Sequence, residues 1–286
     1  MIRYLLLTVL ALPFAAQAQE AMPLAELMSG THIHGIVAGL NGLDSATLAT
    51  HHGVFMVDLA EQTAVPVGSS RDDFMGFSPV PGQIGHAFAS GHPETGGNLG
   101  VIRTKDGGKT WAHVSDGIGG PVDFHNMEVS RADAAVLYGI SHDGTVQRSG
   151  DAGASWAFTG TAPDKLIDIA TSATTPDQIY AATENGLFES RDAGASWQSI
   201  LATKAPVSTI DMGADGRLRA VQLGQGLIDV DVASGNATIV APEVPGGYLL
   251  YLSVTHADPL RLMALSPEGA LLLSDDGGIT WRAVLG

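Results

Sequence analysis

Thr104–Trp111 reads TKDGGKTW, and the pattern returns as SGDAGASW at Ser149–Trp156, SRDAGASW at Ser190–Trp197 and SDDGGITW at Ser274–Trp281. All four tryptophans of the chain lie in these copies, spaced by 45, 41 and 84 residues. Since 84 is twice 42, a degenerate copy is expected in the gap, at Asp231–Thr238 (DVASGNAT). Each copy has the chemistry of a turn. The aspartates (Asp106, Asp151, Asp192 and Asp276) can accept hydrogen bonds from amides of their own hairpin, and the glycines supply positive φ. The tryptophans (Trp111, Trp156, Trp197 and Trp281) bring a large ring to pack on the sheet. Short strand-like runs flank the copies, such as LIDIATS, QIYAAT and GLFESR before the third. A repeat of about 42 residues with four strands is what a propeller blade requires. Counting outward predicts an all-β fold, a single propeller of six four-stranded blades, starting near Thr31, Asp73, Val122, Lys165, Val207 and Tyr248. A seventh blade has no room: only Gln19–Gly30 is left over, enough for one strand or an N-terminal arm.

The motif S/T-x-D-x-G-x-S/T-W resembles the Asp-box, or BNR, repeat of sialidases and sortilin-type propellers. The resemblance implies that each box sits on the turn between the last two strands of a blade as a structural device. The strings THIHGI, ATHHG, DFMGFS, SGHP, NLGVIRTKDGGKTW and DFHNM further resemble an exported bacterial family labelled glycosyl hydrolase-like or exo-sialidase-like, most densely over residues 31–156. That label follows the fold, and a fold hosts many functions. The arginine triad with which sialidases clamp a carboxylate has no counterpart here: Arg71 is the nearest arginine to the pocket strands, and the Arg-Ile-Pro signature is missing.

The 286 residues carry a formal net charge of −16 with no basic cluster, which argues against nucleic acid and anionic lipid as partners. Residues 1–18 have a charged start at Arg3, an apolar run and an Ala16-Gln17-Ala18 cleavage signal. A secretory signal peptide cut after Ala18 is expected, leaving residues 19–286 as one periplasmic or secreted domain, a monomer without a membrane anchor. There are no cysteines, so any metal must be held by His, Met, Asp or Glu.

Nine of the ten histidines fall in the first three predicted blades, and only His256 lies later. Aligned on the boxes, Thr-His-Ile-His-Gly (31–35), Asp-Phe-Met-Gly-Phe (73–77) and Asp-Phe-His-Asn-Met (123–127) occupy one place, the innermost strand of each blade. A step of 17 residues then leads to the turn after the second strand: His34 to His51, Met75 to His92, His125 to His142, and in blade four Asp168 to Asn185 beside Glu184. Inner strands line the channel of a propeller, and that turn opens on the face where they begin. The register therefore gathers His32, His34, His51, His52, His92, His125 and His142 at one mouth, with Met75 and Met127 and the carboxylates Asp73 and Asp123. Strand alternation should put Asp123, His125 and Met127 on one side. His86, His113 and His256 are off this register and read as surface or turn residues.

Converging imidazoles suit a transition metal, with Asp73 and Asp123 orienting the rings from behind. A His/Met set without Cys suits copper first and zinc second. The expected function is metal homeostasis or delivery, with a periplasmic protein as possible recipient of the ion. Glycoside hydrolysis is the alternative, with Asp73 and Asp123 as the carboxyl pair, which must lie roughly 5–9.5 Å apart. Few aromatics are available to stack a sugar, since Phe74, Phe77 and Phe124 should point into blade cores. A third class is the protein-binding propeller, as in sortilin-like receptors and the propeller-type photosystem II assembly factor, whose basic patch this acidic chain lacks. Imidazoles within about 4–5 Å of one another favour metal, given metal–nitrogen bonds near 2 Å. An open groove of paired carboxylates favours the hydrolase.

Overall fold

The structure is a computed structural model that describes residues 20–42, 45–201 and 204–284. The expected leader, residues 1–18, lies outside them. Six antiparallel sheets follow one another along the chain, each running from an innermost strand outward. The innermost strands are Ile33–Ala38, Asp73–Pro79, Phe124–Val129, Leu166–Thr171, Val207–Met212 and Tyr251–Val254. These starts match the six expected blades, and the protein is a six-bladed β-propeller. Blade one has a fifth strand: Met22–Pro23 pairs antiparallel with Thr63–Val67 on its outer edge. The helix Leu24–Gly30 follows, with Leu24 and Leu27 buried between blades six and one. The leftover N-terminal residues thus cover an otherwise open sheet edge, a common protection against edge pairing.

The core is divided among the blade junctions. Between blades one and two, Val37, Ala49 and Val54 pack on Phe74, Ala87 and Ile102. Between blades two and three, Val80, Phe88 and Val101 pack on Phe124, Met127 and Leu137. The boxes seal these junctions from outside. In the first, the Asp106 carboxylate accepts from Thr110 N (2.9 Å), Thr110 Oγ1 (2.6 Å) and Thr104 Oγ1 (2.9 Å). The same bonds recur around Asp151, Asp192 and Asp276, and they draw the Asp276 carboxyl down to about 2. Each box touches the preceding blade. A Cβ on Gly108 would meet Val54, on Gly153 Val101, on Gly194 Val146 and on Gly278 Leu227. The Trp111 ring lies 5.0 Å from Phe74, and Trp156 lies 5.2 Å from Phe124. Blade five uses the degenerate turn, where Ser234 Oγ donates to Asp231 (2.8 Å).

Around the channel, side chains of one inner strand hold the backbone of a neighbouring blade. Ser78 Oγ accepts from Val129 N (2.9 Å), and Thr171 Oγ1 accepts from Arg131 N (3.1 Å). Asp168 accepts from Ile210 N (2.9 Å), and Asp211 accepts from Val254 N (2.7 Å). Ser253 Oγ accepts from Ala38 N (3.0 Å), which closes the ring. These bonds satisfy amides that no neighbouring strand reaches.

Candidate functional site

The inner strands are not regular ladders. In blade one Ile33 pairs with Thr50 and Gly35 with Ala49, so His34 is passed over. In blade two Phe74 pairs with Gly91 and Phe77 with Ala89, passing over Met75 and Gly76. In blade three Phe124 pairs with Ser141 and Asn126 with Ile140, passing over His125. Blades four and five do the same at Ile167 and Ser208. A bulge bends the strand and re-aims the extra residue. His34, Met75 and His125 all line one cavity of about 720 Å³ in the channel.

The bulges correct two expectations. Simple alternation would have put Met127 beside His125. The extra residue resets the alternation, so Met127 falls on the side of Phe124, is 4% exposed and packs with Val80 and Phe88. In blade four the slot equivalent to His125 is Ile167, one residue before Asp168. Asp168 instead accepts bonds from Thr209 Oγ1 (2.8 Å) and Ile210 N and serves the junction to blade five.

At the mouth, the expected residues meet in two groups, each spanning a blade junction. Asp73 of blade two reaches back to blade one, with Oδ2 2.7 Å from His51 Nδ1 and Oδ1 3.3 Å from His34 Nε2. Asp123, just before the inner strand of blade three, reaches back to blade two: Oδ2 is 3.1 Å from His92 Nε2 and 2.8 Å from His125 Nε2. In each group the three ligand atoms lie within 4.8 Å of one another. Both carboxylates are mostly sheltered, at 12% and 17% exposure. Asp73 can approach closely because residue 91 is glycine: a Cβ there would stand 2.0 Å from the Asp73 carbonyl oxygen, and Gly91 has φ +140°.

Protons do not satisfy these atoms well. His34 Nε2, Asp73 Oδ1 and Asp123 Oδ1 are buried without a hydrogen-bond partner. The 3.3 Å approach of His34 to Asp73 is thus a contact without the alignment of a bond. Burial holds His34 below the usual histidine range, against the pull of Asp73, so the ring favours its neutral form. His92 Nδ1 lies 3.0 Å from the Gly97 carbonyl, which can only accept, so Nδ1 carries the proton. A neutral His92 then turns the lone pair of Nε2 toward a carboxylate oxygen at 3.1 Å. Two acceptors face each other there unless a proton or a metal cation stands between them.

The remaining expected residues sit around these groups. His142 is exposed, its ring 5.8 Å from His125. His52 stacks 5.2 Å from His51 and directs Nδ1 to the His51 carbonyl (2.7 Å), while His32 is exposed at the edge. His113 pairs with Asp116 at 2.9 Å, away from the mouth.

Sequence reasoning missed the channel interior. Glu128, Arg131 and Asp211 line the same cavity as His34 and His125. Arg131 is ion-paired with Asp211 at 2.5 Å, and Ser78 Oγ lies 3.0 Å from Glu128. Burial, with Asp211 and Asp168 nearby, pushes Glu128 up to about 8, and burial pushes Asp168 up to about 6. For Asp211 a signal existed: a lone acid interrupts otherwise uncharged inner strands in LIDIAT and STIDM. A smaller cavity of about 300 Å³ lies toward the other face, lined by Leu40, Val80 and His256 and sharing Glu128 and Arg131. Among the described residues no helix is long and apolar enough to cross a membrane.

Comparison with known proteins agrees with the repeat. The BNR/Asp-box repeat matches residues 272–283. The chain is 27% identical over 232 residues to a xyloglucanase of Hypocrea jecorina (strain QM6a), covering 72% of this chain and 26% of the relative. Among solved structures, a GH74 enzyme of Niastella koreensis superposes with a TM-score of 0.64 at 16% identity, over 89% of this chain and 45% of the other. A YCF48 protein bound to a D1 peptide superposes with a TM-score of 0.56 at 18% identity, over 96% and 86%. The chain thus spans about a quarter of the xyloglucanase and under half of the GH74 enzyme. The structural likenesses establish a propeller scaffold shared with glycoside hydrolases.

Proposed function

We propose that the channel mouth of blades one to three binds transition-metal ions, one at His34, His51 and Asp73 and one at His92, Asp123 and His125, for metal homeostasis or delivery outside the cytoplasm. The observation that carries this reading is the convergence of two imidazoles and one carboxylate, within 4.8 Å, in each of two groups. The buried donors without partners, His34 Nε2, Asp73 Oδ1 and Asp123 Oδ1, support it, because a bound cation would satisfy all three. Two imidazoles and a carboxylate with a further position open to solvent suit Zn(II) or Cu(II). The test is metal titration of the purified protein with Zn(II) and Cu(II), beside the variant with His34→Ala and His125→Ala. Tight stoichiometric binding lost in the variant is expected. Binding no tighter than about micromolar, an interaction of roughly 8 kcal/mol, would remove the reading.

The relatives favour a second reading, and they support it better than they support metal binding: glycoside hydrolysis of a xyloglucan-type polysaccharide. In this reading Asp73 and Asp123, the acids of equivalent strands in neighbouring blades, would be the carboxyl pair. Against it stand the two imidazoles engaged on each carboxylate, which hold the groups needed for proton transfer to sugar. Release of reducing sugar from xyloglucan, abolished by Asp123→Asn and unaffected by chelators, would establish this reading in place of the first.

A further inference from the structure

The mouth carries a sulfur donor that the two His–Asp–His groups leave unused. The bulge positions of blades one, two and three are filled in turn by His34, Met75 and His125, and all three face the same cavity. His34 and His125 come from the two outer blades of this set and line that cavity together. Met75 comes from the blade between them. It is only half-buried and belongs to none of the apolar clusters at the blade junctions, unlike Met127, which packs in the core. In the next two blades the corresponding slots hold Ile167 and Ser208, so the nitrogen–sulfur–nitrogen sequence ends where the histidines end.

The donor chemistry separates this set from the neighbouring groups. A thioether is soft and uncharged, and it favours a monovalent d¹⁰ ion over Zn(II). A carboxylate does the reverse. The two His–Asp–His groups are therefore matched to divalent ions, while two imidazoles with one thioether are matched to Cu(I).

We infer that His34, Met75 and His125 form a binding site for monovalent copper at the channel mouth. The inference rests on the metal reading above, since it shares His34 and His125 with the two divalent groups. Its test is anaerobic competition for Cu(I) against bicinchoninate, run in parallel with Zn(II) titration, on the wild-type protein and on Met75→Leu. Leucine nearly conserves the volume of methionine, so the fold is expected to survive. The expected result is a loss of Cu(I) affinity of at least about tenfold, with Zn(II) affinity unchanged. A sulfur shell in the copper K-edge absorption spectrum of the wild type should vanish in the variant. Equal Cu(I) affinity in both proteins, with Zn(II) still bound, would overturn the inference and leave the metal reading standing. Failure of the wild type to bind Cu(I), Cu(II) or Zn(II) would overturn both.

Discussion

Asp123→Asn is the most informative single change at the mouth. Asp123 Oδ2 lies 3.1 Å from His92 Nε2 and 2.8 Å from His125 Nε2, and its Oδ1 is buried without a partner. Asparagine keeps the size and one acceptor but removes the charge that a bound cation would neutralise. At an ion concentration one hundred times Kd, an occupied group stabilises the fold by about 2.7 kcal/mol. For a chain of this size that corresponds to a rise in Tm of about 5–10 °C for each group, at roughly 2–4 °C per kcal/mol. Loss of the anionic donor should weaken binding there by about ten- to hundredfold. At the same ion concentration that group would then contribute only about 0.4–1.4 kcal/mol. The variant should therefore forfeit about 3–9 °C of the metal-induced shift, while the group built on Asp73 keeps its share. Differential scanning calorimetry with and without Zn(II) measures both quantities. A metal-induced shift in Asp123→Asn as large as in the wild type would refute the assignment of Asp123.

Three further outcomes follow from the geometry. Glu128 has an ordinary value of 4.5 and is raised to about 8 in the folded state, so between those pH values the folded chain holds more protons than the unfolded one. Its contribution lowers stability as pH rises through that window, and Glu128→Gln should flatten the fall in Tm between pH 5 and pH 8; an unchanged slope would count against a protonated Glu128. Phe124→Ala removes a fully buried ring 5.2 Å from Trp156 and should cost about 3–5 kcal/mol in urea unfolding. Gly91→Ala forces a Cβ against the Asp73 carbonyl at positive φ. It should destabilise by more than about 1 kcal/mol and also reduce Zn(II) stoichiometry, whereas full binding would show that Asp73 tolerates displacement.

The repeat was legible because its physics is local. An aspartate bonding to its own hairpin, a glycine at positive φ and a tryptophan at a constant interval are decided within eight residues, as in Ser274–Trp281. Six blades, their starting points and the gathering of His34, His51, His92 and His125 on one face followed from the period alone. The five-stranded first blade was open, since residues 19–30 could have been either a strand or an arm, and they supply a strand and a helix.

The positions of individual side chains at the mouth were decided elsewhere. Strand alternation assumes a regular ladder, but pairing with the second strand skips His34, Met75 and His125. A bulge is a property of two strands in register, so one strand's residues do not reveal it. That single displacement sends Met127 into the core, sets Ile167 rather than Asp168 in the fourth slot, and frees Asp168 for the next blade. The partition into two His–Asp–His groups likewise depends on each aspartate reaching back across a blade junction. The amino-acid sequence determined the blades and which histidines share the mouth; the packing of blade on blade decided which of them meet, because those contacts join residues that no local pattern relates.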